Sequence, residues 1–121
     1  MLISNRTALL AGASNNNFFA GTFIEFLPGD GVLQFGFVSG DLDAITGGDI
    51  EVDIFVGNDV CALNFLPRTT GTAVQNRAPI FPDDFQLSCA AVGGDRLIGK
   101  VRNLDGVNAA ALYWAVMLDV L

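Results

Sequence analysis

Residues Gly93–Leu121 read GGDRLIGKVRNLDGVNAAALYWAVMLDVL. Two apolar-rich runs flank Asp105-Gly106, a dipeptide suited to a tight hairpin because both central positions take positive φ cheaply. The second run is the most hydrophobic of the chain. One register carries Leu112, Trp114, Val116, Leu118 and Val120. The other carries Ala111, Tyr113, Ala115 and Met117, interrupted only by Asp119. A strand apolar on both faces has to be covered on both, by a second sheet and by something else, with another subunit as one candidate. Leu112, Tyr113, Trp114, Val116, Met117 and Leu118 are therefore the candidate interface residues. Asn108–Met117 competes as a helix through its alanines, but Val, Tyr, Trp and the flanking β context favour a strand.

Working back from this run, the chain is punctuated by Gly, Pro, Asn and Asp. Residues 1–17 are polar and close in Ser14-Asn15-Asn16-Asn17, which reads as an N-terminal arm ahead of a single domain over 18–121. Phe18–Leu27 alternates like a strand. Pro28-Gly29-Asp30-Gly31 is a turn signal, and Val32–Val38 follows as the expected hairpin partner. Ser39–Gly48 reads as a loop. Asp49–Gly57 has the cleanest alternation, with Ile50, Val52, Ile54 and Val56 on one face, and predicts a strand with one wet side. Val60–Leu66 and Phe85–Val92 read as further strands. Pro79 and Pro82 make Thr72–Phe81 an edge strand or an extended connection. The tally is about eight short strands and no long helix, which predicts an all-β, antiparallel β-sandwich or barrel.

Composition limits the function. The chain has 121 residues, 51% hydrophobic and 16% charged, which is one domain with few charges to cover its surface. The apolar excess fits either a tight Gly-rich β-fold or burial between copies. No run approaches a membrane span, and Met1–Arg6 lacks the make-up of a signal peptide, so the expectation is a soluble protein made in the cytoplasm. A net charge of −7 with six basic residues argues against nucleic acid. Only Arg96, Lys100 and Arg102 come close together. They share one parity of a strand whose inward face is Leu97, Gly99, Val101 and Asn103, so a solvated face is the favoured reading. Ten Phe against one Trp and one Tyr fit core filling better than a sugar-stacking platform.

Catalytic signals are missing. The chain has no His, the commonest general base and metal ligand. Ser4, Ser14, Ser39 and Ser88 have no nucleophile-elbow setting, and no phosphate loop is present. Cys61 and Cys89 cannot make a four-ligand zinc site alone. Buried free thiols are the favoured reading, with a disulfide between packed strands left open. Asp41, Asp43, Asp49, Glu51 and Asp53 crowd one stretch, and Asp83-Asp84 form a second pair. A calcium site there lacks the EF-hand spacing, so a solvated, turn-capping role is favoured. The expectation is a non-enzyme with no cofactor.

In texture the chain resembles the small jelly-roll cement or decoration proteins of tailed-bacteriophage heads. Pro82-Asp83-Asp84-Phe85-Gln86-Leu87, Gly94-Asp95-Arg96-Leu97, Lys100-Val101-Arg102-Asn103 and the apolar final strand carry that resemblance, mainly over 77–121. It implies a jelly-roll sandwich, a trimer that clamps neighbouring major capsid proteins, and a place on the capsid surface of a virion. It brings no active site with it. The competing class is a ligand- or carbohydrate-binding sandwich of a viral spike or secreted protein, which needs exposed aromatics or a metal site in 39–48 or 67–84. Strand rhythm alone leaves jelly-roll and immunoglobulin-like topologies both open.

Overall fold

The computed structural model describes residues 2–41, 50–69, 78–107 and 109–120. In chain order the strands are β1 (Leu2–Leu9), β2 (Ser14–Asn15), β3 (Gly31–Asp41), β4 (Ile50–Val56), β5 (Asp59–Phe65), β6 (Arg68–Thr69), β7 (Phe85–Ala91), β8 (Leu97–Asn103) and β9 (Ala110–Val120). No helix occurs among the described residues. The antiparallel pairs are nested: β1 with β9, β2 with β8, β3 with β7, and β4 with β5. One long hairpin is thus rolled up. Pairing of β3 with β9 and of β4 with β8 closes the roll into two sheets, β1-β9-β3-β7 and β2-β8-β4-β5. The short β6 adds a parallel contact at the far end of β3. That pairing is a jelly roll, and it decides against the immunoglobulin-like alternative.

Inward alternation makes the core. Leu33, Phe35 and Phe37 of β3 stand opposite Leu118, Val116 and Trp114 of β9. Across the interior lie Ile50, Val52, Ile54 and Val56 of β4 with Leu97 and Val101 of β8, all buried. The strand expected at Asp49–Gly57 and the inward set Leu97, Gly99, Val101 and Asn103 are as the alternation predicts. Residues 2–9, within the segment read as an arm, form β1 and pair with β9 along their length.

Three expectations differ. The runs flanking Asp105-Gly106 are not a hairpin, since β8 and β9 lie in different sheets. Asn103 donates from its backbone to Ala13 O and from its side chain to Leu10 O. Asp105 O accepts from Gly12, while Asn103 and Asp105 side chains cap the two turns that follow them. The connection therefore crosses between sheets, letting the apolar faces of β8 and β9 meet across the core rather than lie side by side.

Phe18–Leu27 is not a strand either, and so is not the partner of β3. Successive turns run through it: Ala20 donates to Asn17 O, Thr22 to Phe19 O and Glu25 to Thr22 O. Gly21 takes φ +78°, a conformation other residues rarely adopt. The segment leaves the edge of β8 after β2 and rejoins it at a bridge between Phe26 and Arg96. Between those points the side chain of Asn17 stands in for a paired backbone. It accepts from Gly99 N–H at 3.1 Å and donates toward Leu97 O at 3.4 Å.

The excursion drives Phe18, Phe19, Ile24 and Leu27 into the core. The Phe18 and Phe19 rings lie 5.7 and 4.9 Å from that of Trp114. Gly99 is the floor of this plug, where an added Cβ would sit 2.5 Å from the Phe18 ring and 2.6 Å from that of Phe19.

The third difference concerns Cys61 and Cys89, which are joined in a disulfide, not free thiols. Their Cα atoms are 6.0 Å apart, within the range a disulfide spans. The bond links β5 to β7, edge strands of different sheets. Strand rhythm could not show this because the pairing depends on which edges face each other.

Candidate functional site

The roll presents two outer faces of different chemistry. On the β1-β9-β3-β7 sheet the outward row of β9 is Ala111, Tyr113, Ala115 and Met117. Tyr113 lies between Arg6 and Val38, and Met117 between Leu2 and Gln34. Tyr113 and Met117 are half-buried, whereas Ala111, Ala115 and Val38 are buried. Next to them Gly36 is roofed by the chain itself: an added Cβ would lie 2.7 Å from the Phe85 ring and 2.9 Å from Pro79 Cβ.

The six candidate interface residues therefore divide. Leu112, Trp114, Val116 and Leu118 are enclosed between the sheets, and only Tyr113 and Met117 reach the outer face. Among the described residues two buried polar atoms lack a partner, Trp114 Nε1 inside the core and Gln34 Oε1 on the outward row of β3.

The outer face of the other sheet is built on Arg102. Its Nη1 donates to Asp53 Oδ2 at 2.9 Å, its Nε and Nη2 donate to Glu51 Oε1 at 3.1 and 2.7 Å, and Nη2 also reaches Asn64 Oδ1 at 2.9 Å. Asp53 Oδ1 accepts from Asn64 N–H at 2.8 Å. Asn64 takes φ +54°, and β5 is bulged against β4, a device that twists an edge strand away from further pairing. The Arg102 guanidinium, helped by the Asn64 N–H, holds the Asp53 carboxyl below its usual range against the opposing cost of burial. The same carboxylates push Arg102 up.

The basic row is thus engaged within the chain. Arg96 pairs with Glu25 at 3.0 Å, and Lys100 Nζ lies 5.5 Å from the centre of the Phe55 ring.

Of the acidic stretch, Glu51 and Asp53 face Arg102, and residues 42–49 lie outside the described residues, as does most of the expected edge segment 72–81. Asp84 is buried and accepts from Ile80 N–H at 2.8 Å. Among the described residues no group of three or more His, Cys, Asp or Glu side chains could hold a metal ion.

One surface feature escaped the sequence reading. Leu10, Leu104 and Val107 are 77%, 53% and 83% exposed. They sit on two loops tied together by the Gly12–Asp105 and Asn103–Leu10 hydrogen bonds. Val107 beside the turn signal at 105–106 was the only local hint. The meeting of two loops some ninety positions apart is not a local property.

Pairing and packing define the chain as a small jelly-roll sandwich. No family model and no curated protein matches it. Among solved structures it is similar to PRD1 vertex protein P5, with 11% identity over 98% of this chain and 96% of that one, and a TM-score of 0.52. The likeness is one of fold, over essentially the whole of both chains.

Proposed function

We propose that this chain is a non-enzymatic structural protein of a virion, a cement or decoration protein on the capsid surface that bridges neighbouring major capsid proteins. The observation that carries this reading is the full-length likeness of fold to a vertex protein, joined to the phage-head resemblance of residues 77–121. Physical chemistry supports it. Shell-binding proteins gain avidity by repeating modest contacts over a symmetric lattice, and this chain carries exposed Leu10, Leu104 and Val107 on a single pair of loops. A homotrimer uses the outer face at Tyr113 and Met117 for its own subunit contacts. The single Trp is enclosed and the single Tyr half-buried, so among the described residues the exposed aromatics that the ligand- or carbohydrate-binding alternative would use are phenylalanines, Phe23, Phe26 and Phe81.

The test has two readouts. Light scattering of the full chain on a sizing column is expected to give the mass of three copies. Co-sedimentation with shells assembled from a phage major capsid protein is expected to be saturable. Tyr113→Asp with Met117→Asp is expected to lower the native mass while leaving the β circular dichroism intact. A monomer that ignores such shells sinks the proposal. Trp114→Asp is a poor probe, since it puts a charge in the core.

A further inference from the structure

The roll has two open sides, where edge strands of different sheets run past each other without a ladder. On the side of β1 and β2 the gap is filled by the Phe18–Phe19 plug. On the side of β5 and β7 the half-buried Phe65 and Leu87 pack against the core, and the Cys61–Cys89 bond joins the two edge strands. Both cysteines are half-buried, and together with Val56, Asp59, Val60, Ser88 and Ala90 they line a groove of about 260 Å³. Sulfurs at a groove are open to attack by a small thiol or disulfide, unlike a bridge sealed in a core.

Every ladder of both sheets is made by backbone pairing without this bond, and the two cysteines pack at the margin of the core rather than among its fully buried residues. A chain made in a reducing compartment therefore has what it needs to fold before the bond forms.

We propose that Cys61 and Cys89 are a reversible redox latch, which closes the β5–β7 side of an already folded roll on meeting oxidised glutathione and opens with reduced thiols. One cysteine thiolate attacks a sulfur of glutathione disulfide, forming a mixed disulfide and releasing one glutathione thiolate. The second cysteine thiolate then attacks the protein sulfur of that mixed disulfide. This forms the Cys61–Cys89 bond and releases the second glutathione thiolate. The two cysteines lose two electrons, glutathione disulfide gains them, and the two thiol protons pass to solvent or to the released thiolates.

The experiment uses the full chain, reduced with dithiothreitol and then exchanged into glutathione disulfide, both at a temperature where it is folded. The latch predicts four results. Two maleimide-reactive thiols are present in the reduced chain and absent after oxidation, with the loss of two hydrogens in mass. Far-ultraviolet circular dichroism is the same in both states. The thermal midpoint is higher by roughly 10 °C when oxidised. Cys61→Ser and Cys89→Ser each hold the reduced midpoint under either condition.

Unfolding on reduction would overturn the proposal by making the bond an obligatory scaffold. Equal midpoints in the two states would overturn it by removing the closure. Resistance of the native chain to both reagents would overturn it by removing reversibility. Should the serine variants fail to fold, the dithiothreitol and glutathione cycle on the unaltered chain decides the matter alone.

Discussion

The two sides of the roll are closed by different chemistry. Beside β2 the chain departs from its sheet for about ten residues and packs four large side chains between the layers, around Trp114 and over Gly99. Beside β7 the Cys61–Cys89 bond joins the two sheets covalently, at the margin of a groove. The first closure depends on shape and cannot be undone without losing the core. The second depends on redox state and can be undone while the core stays. The difference shows how a small sandwich can keep one edge permanently sealed and leave the other conditional.

The comparison can be broken from either side. The largest effect is expected from the plug. Phe19→Ala should cost about 3–5 kcal/mol by the usual scale for burying and then deleting an aromatic side chain, read from urea unfolding midpoints at constant slope. Gly99→Val should be comparably damaging, because its Cβ meets both rings on a backbone held by Asn17. Next comes the other side. Reducing a bond that closes a sequence separation of 28 should cost about 2–4 kcal/mol. If the two sides are independent, reduction of the Phe19→Ala chain should cost the same as reduction of the unaltered chain, a test of additivity.

Asn17→Ala is expected to rank third. It removes the acceptor of the Phe19 and Gly99 N–H groups and should cost about 1–3 kcal/mol, with Asn17→Asp recovering part of the loss because a carboxylate still accepts both bonds.

The smallest effect concerns the outer face that holds neither closure. Asp53 has its pKa lowered by Arg102 and the Asn64 N–H. A depressed carboxylate contributes stability that is present above its unfolded pKa, about 4, and is lost as pH falls through its folded value. The stability difference between the unaltered chain and Asp53→Asn should therefore be flat at neutral pH and shrink in the acid range below about pH 4. A difference that grows on acidification would contradict the network as described.

How far the sequence led depends on whether a residue's partner is near it in the chain. In β4 and β8 alternation alone sorted the core-facing residues, since a strand's period of two is local and each apolar row had to find cover. The same signal misled at Phe18–Leu27. A plug and a strand both want alternating bulky residues, and the choice was made by Asn17 hydrogen bonding to Gly99, 82 positions away. On β9 the sequence showed two apolar faces. It could not say that one meets β4 and β8 across the interior while the other leaves only Tyr113 and Met117 at the surface.

Composition and periodicity by themselves determined an all-β sandwich, its core-forming strands and the want of catalytic histidines, because these follow from what each residue is and its immediate neighbours. The nested pairing, the aromatic plug, the Cys61–Cys89 bond and the Arg102 cluster were decided only by tertiary structure. Each is a contact between distant segments, and which distant segments meet is set by the packing of the whole roll.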